Sequence, residues 1–272
     1  MVAYLVSLAA ATGLHVEAKL SSRSVQITAN LTEVFACLPT VRFHGGKGNQ
    51  FLDAMFEARD VRLIQIFGDD DWIGAYECRA RSSAKAVLFD GPGKDPFLVF
   101  EGSDLVAAVR GAVNSGLFAG GAACMSAERF YVQRGIYERF LLGLVQELGE
   151  ILPLPPDNPK SRVGFIYSAK VATRLRSMLA EAEARGAVFM LPGEVSEVRF
   201  RGIRFYACPP LVVTEVPQDV RLMREETFGP VFPVIPFSRS DEATRLASNS
   251  EFGLTATVFA PKELAHRTAC TL

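Results

Sequence analysis

Apolar and polar positions alternate differently in the first third of the chain than in the rest. Short runs rich in β-branched and aromatic residues at positions 15–19, 41–44, 61–67 and 84–89 read as strands. Between them, residues 25–37, 48–59 and 70–81 carry mixed patterns that suit helices. Strands spaced by helices imply βαβ crossovers and a parallel, doubly wound sheet, an α/β fold. Such sheets bind ligands at the carboxyl ends of their strands. Residues 1–13 are apolar and small but have no basic leader, which predicts the end of a buried helix rather than a signal peptide.

Asp90-Gly91-Pro92-Gly93 breaks this rhythm. Glycine and proline together predict a turn, and we place a domain junction there, with domains at 1–91 and 92–272. A strand follows at 97–100. A helix follows at 104–118, with Ser103 or Asp104 as cap and Leu105, Ala108, Val109 and Ala112 on one face. Small residues fill 119–123. Further strands read at 130–132, 209–213, 231–237 and 255–259, and helices at 137–148, 169–185 and 241–247. Gly186 supplies the stop for the helix before it. Prolines at 153, 155, 156 and 159 make a rigid loop.

Composition narrows the class. The 272 residues are 49% hydrophobic and 22% charged, the balance of a globular protein. Lys and Arg number 29 against 30 Asp and Glu, a net charge of −1, which gives no pull toward nucleic acid or acidic membranes. No apolar run is long enough to span a bilayer. Cysteines at 37, 78, 124, 208 and 270 are odd in number and without C-x-x-C spacing, which predicts thiols in a reducing, cytoplasmic setting. His15, His44 and His266 are scattered, so a metal cluster finds no support.

Four stretches carry candidate chemistry: Lys94-Asp95-Pro96-Phe97; Gly120-Gly121-Ala122-Ala123-Cys124 with Ser126-Ala127-Glu128-Arg129 after it; Arg224-Glu225-Glu226-Thr227-Phe228-Gly229-Pro230-Val231; and Ser248-Asn249-Ser250-Glu251-Phe252-Gly253-Leu254. On the thiol alone, Cys124 reads as a small buried hydrophobe. Taken together, the order and spacing of the four stretches resemble the aldehyde dehydrogenase superfamily, from about residue 9 to residue 260. The third stretch is the most specific.

The resemblance implies part of a Rossmann-type cofactor domain followed by an α/β catalytic domain. It implies oxidation of an aldehyde to a carboxylic acid with NAD or NADP. Cys124 falls at the position of the thiolate that attacks the aldehyde carbon. Glu226 falls at the carboxylate that holds the nicotinamide ribose, and Phe228 at the aromatic beside the nicotinamide. Lys19 ends a run, Gly13 to Lys19, that is similar to the family strand whose lysine reaches the adenosine ribose. A solvated surface lysine is an equal reading. Ser22 stands where NAD-preferring members often carry an acid, and a neutral residue there tolerates a 2′-phosphate. Gly74 matches a second glycine of the phosphate turn.

The chain also departs from the family. After the strand ending Ile66-Phe67-Gly68, the family has Phe-Thr-Gly-Ser, whereas this chain has Asp69-Asp70-Asp71. Three carboxylates suit a helix N-terminus but repel a pyrophosphate. Asp90 replaces the glutamate of Glu-Leu-Gly-Gly-Lys as the candidate water-activating base. It is one methylene shorter, and it also suits a turn. The family's Pro-Trp-Asn segment would fall just before Met1, and a substrate loop with part of the oligomer contact after Leu272. The resemblance thus implies a chain shortened at both ends, with weakened self-association. The alternative function is a catalytically impaired relative that acts in binding or assembly.

Overall fold

The computed structural model describes residues 2–69 and 73–272. The chain divides between Gly91 and Pro92 into two compact units.

In the first unit, helix α1 (Val2–Ala11) leads to strand β1 (Val16–Lys19), helix α2 (Val25–Val34), strand β2 (Val41–His44) and helix α3 (Gly48–Glu57). Strand β3 (Leu63–Phe67), helix α4 (Glu77–Ser82) and strand β4 (Ala86–Asp90) complete it. The parallel crossovers form as the pattern predicts: β1 pairs with β2 and β3 with β4, both in parallel. The expected single sheet does not form among the described residues. Each pair is a separate two-stranded sheet with its own apolar cluster: Val6, Phe35 and Val41 for one, and Leu52, Phe56, Ile64, Ile66 and Tyr76 for the other. Strand β3 shows the period of two, with Ile64 and Ile66 buried and Leu63, Gln65 and Phe67 exposed.

The expected buried helix at the start is a correction. Helix α1 forms, but Tyr4 and Leu8 are exposed, and it meets the cluster of Phe35 and Val41 through the buried Val6 and the half-buried Ala10. Apolar residues run around the helix, while the unit covers one face of it. In the span 70–81 the described residues are helical at 73–74 and again from Glu77, where helix α4 begins, with a turn at 75–76 between. Asp70 and Asp71 lie outside them.

The second unit is a three-layer α/β body. Its elements are β5 (Asp95–Val99), α5 (Leu105–Gly116), β6 (Ala127–Gln133), α6 (Tyr137–Gly149), α7 (Ala169–Ala184), β7 (Val188–Leu191), β8 (Ser196–Phe200) and β9 (Ile203–Ala207). They continue with β10 (Leu211–Thr214), α8 (Arg221–Arg224), β11 (Val231–Phe237), α9 (Ser240–Ser248), β12 (Thr257–Phe259) and α10 (Lys262–Ala269). Six strands lie in the order β12-β5-β6-β11-β10-β7, all parallel except β7. Strands β8 and β9 form a separate antiparallel hairpin.

Because helices cover both faces, β5 and β10 are buried along their whole length. On one face Phe97, Phe130 and Phe232 pack against Ala108, Ala112, Phe140 and Leu144 of α5 and α6. On the other, Leu98, Tyr131 and Leu211 pack against Leu175 and Leu179 of α7 and Leu246 of α9. Asp104 caps α5 by accepting from the Ala107 amide at 3.0 Å, and Gly186 ends α7 at φ +95°. Strands β7, β8 and β9 and helices α8 and α10 were not predicted. None of the described helices is long and apolar enough to cross a membrane.

Candidate active site

The four stretches, far apart in sequence, meet at one place in the second unit. Gly93 stands against the thiol loop: a β-carbon there would lie 2.0 Å from the Cys124 carbonyl oxygen. Gly121 stands against the third stretch, where a β-carbon would lie 2.5 Å from the Gly229 carbonyl carbon and 2.8 Å from the Pro230 nitrogen. Only glycine lets backbones approach this closely. The Gly93 amide also donates to Glu226 Oε1 at 3.2 Å.

The thiol loop itself is a left-handed turn. Ala119, Gly120 and Gly121 have φ of 50°, 72° and 76°. Two glycines take this up without strain, while Ala119 bears a cost of roughly 1–2 kcal/mol. Ser126 closes the loop, donating through Oγ to the Phe118 carbonyl at 3.1 Å. Cys124 is half-buried on this loop, and none of the five cysteines is in a disulfide. Cys208 is buried, and burial pushes its thiol up to about 12.

The fourth stretch joins through Arg129 and Asp95. The fully buried Arg129 donates through Nε to the Lys94 carbonyl at 2.8 Å, and through its terminal nitrogens to the carbonyls of Leu246, Ala247 and Asn249. A cation at a helix C-terminus satisfies carbonyls that the helix leaves without partners, here those of α9. Asp95 accepts from the Thr255 amide at 3.0 Å and from the Thr255 hydroxyl at 2.5 Å. Burial, ahead of these hydrogen bonds, raises its carboxyl above the ordinary range.

Beneath the thiol loop lies a buried ion pair. Lys94 Nζ is 2.8 Å from Glu128 Oε2 and 2.7 Å from Thr227 Oγ1, and the Lys94 and Glu128 side chains are 0% and 3% exposed. Burial pulls the Lys94 ammonium down, and the Glu128 carboxylate pulls it back up. Glu128 also accepts from the Thr227 amide at 2.7 Å and the Phe228 amide at 2.8 Å. Phe228 is a non-glycine residue at φ 54°.

Glu226, half-buried, has its carboxyl pushed up to about 7, by burial first and then by the charge of Glu128. The Gly93 amide, Arg174 and Lys94 act in the opposite direction. Nε of Arg174, on α7, is buried without a partner among the described residues.

The remaining candidates belong to the first unit, at or just beyond the carboxyl ends of its parallel strands. Lys19 ends β1, half-buried, its Nζ donating to the Leu20 carbonyl at 2.7 Å. Ser22 is exposed shortly after it. Glu17, on the same strand, pairs with His44 and Arg42 of β2. Gly74, also exposed, follows β3, with open space where a β-carbon would stand. Asp90 ends β4, half-buried, and its carbonyl accepts from the Gly68 amide at 3.3 Å.

The structure thus groups Cys124, Glu226 and Phe228 in the second unit and leaves Lys19, Ser22, Gly74 and Asp90 in the first. Lys94, Glu128 and Arg129 lie within the four stretches but carried no role in the sequence reading, and Arg174 lies outside them. The signal for three of them was a charged residue inside or beside an apolar strand run.

Three comparisons set this geometry among known proteins. The model of the family described as the aldehyde dehydrogenase family matches residues 1–272. Lactaldehyde dehydrogenase of Escherichia coli (strain K12) is 35% identical over 185 residues, which are 66% of this chain and 36% of that protein. Aldehyde dehydrogenase [NAD(P)+] 2 of Saccharomyces cerevisiae is 32% identical over 219 residues, 79% of this chain and 43% of that one. The crystal structure of betaine aldehyde dehydrogenase from Staphylococcus aureus in complex with NAD+ superposes with a TM-score of 0.84 at 26% identity, covering 94% of this chain and 52% of that one. The chain therefore spans less than half the length of these two curated relatives.

Proposed function

This chain belongs to the aldehyde dehydrogenase family, and we propose that it serves the oxidation of an aldehyde to a carboxylic acid with NAD+ or NADP+ through Cys124. The observation that carries this reading is the joint Gly93 makes between the Cys124 loop and the Glu226 carboxyl. It holds a thiol and a half-buried carboxyl on adjoining backbone.

In this reading the Cys124 thiolate attacks the aldehyde carbonyl carbon to give a hemithioacetal. NAD+ or NADP+, when bound, would supply the acceptor for the hydride that leaves that carbon, with Glu226 and Phe228 as the residues that would hold it. Cys124 then holds the acyl group as a thioester, and water releases the acid and restores the thiol. Asp90 is the candidate to take the proton from that water. Small residues at 119–123 leave room beside the sulfur.

The residues present fit such a cofactor on the second unit's side. The Glu226 carboxyl suits vicinal hydroxyls, and the unpartnered buried Nε of Arg174 offers a donor. Phe228 would pack beside the ring, and Lys19, Ser22 and Gly74 would serve the adenosine and phosphate end. The NAD(P)+ in the yeast relative's name and the NAD+ bound in the Staphylococcus aureus structure support this assignment.

A second reading, a catalytically impaired relative used in binding or assembly, is favoured by the acids at 69–71 and by aspartate at 90. Thermal unfolding with rising NAD+ or NADP+ separates the two. A ligand bound only to the folded chain raises the midpoint, by about 2.7 kcal/mol of stability at a hundredfold excess over Kd. A flat response with both nucleotides in a folded sample supports the impaired relative.

A further inference from the structure

We propose that Glu128 is a positioning residue for the cofactor-side segment, fixing the Thr227 and Phe228 backbone and thereby the place and charge of the Glu226 carboxyl. The proposal rests on the reading of Glu226 as a cofactor-binding group.

Glu128 lies on β6, four residues after the thiol. Both of its oxygens are used: Oε2 by Lys94 Nζ and the Thr227 amide, Oε1 by the Phe228 amide. Only a carboxylate accepts from three such donors at once. The Thr227 and Phe228 amides lie outside helix and strand, so they have no ladder to bond to. Glu128 supplies the acceptor that a ladder would, at the residue whose backbone is left-handed. Lys94 holds Glu128 from the other side and grips the Thr227 hydroxyl.

An ion pair this deeply buried is poor value for stability alone, because an apolar pair of similar volume serves as well. What an apolar pair cannot do is hold two successive amides. The consequence falls on the neighbouring side chain. Glu226 is anchored from outside the segment by the Gly93 amide, and from within by backbone that Glu128 holds.

Glu226 feels Glu128 from β6, Lys94 from the residue just before β5 and Arg174 from α7. Burial and then Glu128 push its titration up to about 7. Glu128 acts on it more strongly than Lys94 does, so removing the Glu128 charge lowers the midpoint even if Lys94 then sheds its proton. A group that merely filled space would leave that midpoint where it is.

The experiment compares the full chain with its Glu128→Gln variant. Infrared difference spectra, with Glu226→Gln to assign the band, give the Glu226 midpoint, and calorimetry gives the NAD+ and NADP+ affinities. The expected result is a midpoint that falls and an affinity loss on the order of 10-fold in Glu128→Gln, the size of a lost charge-assisted contact. An unchanged midpoint in a folded variant overturns the proposal, whatever the nucleotides do. If the parent chain binds neither nucleotide, the cofactor reading fails while the midpoint still decides the role of Glu128. Should Glu128→Gln not fold, amide exchange of the parent chain decides: Thr227 and Phe228 amides protected to the level of β6 support the clamp, and exchange at open-loop rates overturns it.

Discussion

Gly93 and Cys124 approach so closely that the glycine's absent side chain is part of the site. A single β-carbon on Gly93 would stand 2.0 Å from the Cys124 carbonyl oxygen. The contact is backbone, so no flexible side chain can yield. Gly93→Ala is expected to push the thiol loop away and cost about 2 kcal/mol through overpacking. For a unit of this size that lowers the melting midpoint by about 4–8 °C. Calorimetry checks it, and an unchanged midpoint would mean that the two loops are not in contact.

Arg129 ties the first, second and fourth stretches together through four carbonyls. Arg129→Met would leave those buried carbonyls without a donor, at a cost of about 3 kcal/mol or more. Arg129→Lys should recover little of it, since one ammonium cannot span the fork. Urea unfolding should show a lower midpoint concentration at unchanged slope in both variants. Stability equal to the parent's would remove Arg129 from its place as the joint.

Glu226 gives the stability a pH dependence of known sign. Its carboxyl rises from an ordinary 4.5 to about 7 in the folded chain. A raised carboxyl favours the folded state while protonated. Its contribution is therefore fully present below pH 4.5 and is lost as pH rises to about 7. Between pH 5 and 8, the melting midpoint of the parent should fall relative to Glu226→Gln and then level off. Parallel curves for the two proteins would contradict this.

The five thiols should separate by reactivity. Cys37, Cys78 and Cys270 are exposed and should alkylate at ordinary rates, while the buried Cys208 should resist until the chain unfolds. If Cys124 is a nucleophile, its thiolate character should make it about 10-fold faster than the exposed three near neutral pH. Peptide mass spectrometry after brief iodoacetamide treatment reads all five. Equal labelling of Cys124 and the exposed thiols would count against its role.

Much of the fold was legible because parallel strands buried on both faces write continuous apolar runs, such as Phe97 to Phe100 and Val231 to Phe237. The hairpin of β8 and β9 was not, since Arg199, Arg201 and Arg204 interrupt its apolar positions. Nor was the division of the first unit into two ribbons, which depends on pairing between strands rather than on any one run. At the site, the motifs around Cys124 and Glu226 marked stretches that the fold brings together through Gly93. The pairing that organises them did not show: Lys94 and Glu128 lie in two different stretches 34 residues apart, and no local spacing announces a buried ion pair.

The most direct test of the central claim is the appearance of reduced nicotinamide when the purified chain meets a panel of aldehydes with NAD+ or NADP+, beside a Cys124→Ala control. The account predicts reduction with at least one aldehyde and its loss, by a factor of about 10³ or more, in Cys124→Ala. No reduction across the panel by a folded, nucleotide-binding chain, or equal reduction by Cys124→Ala, would contradict it.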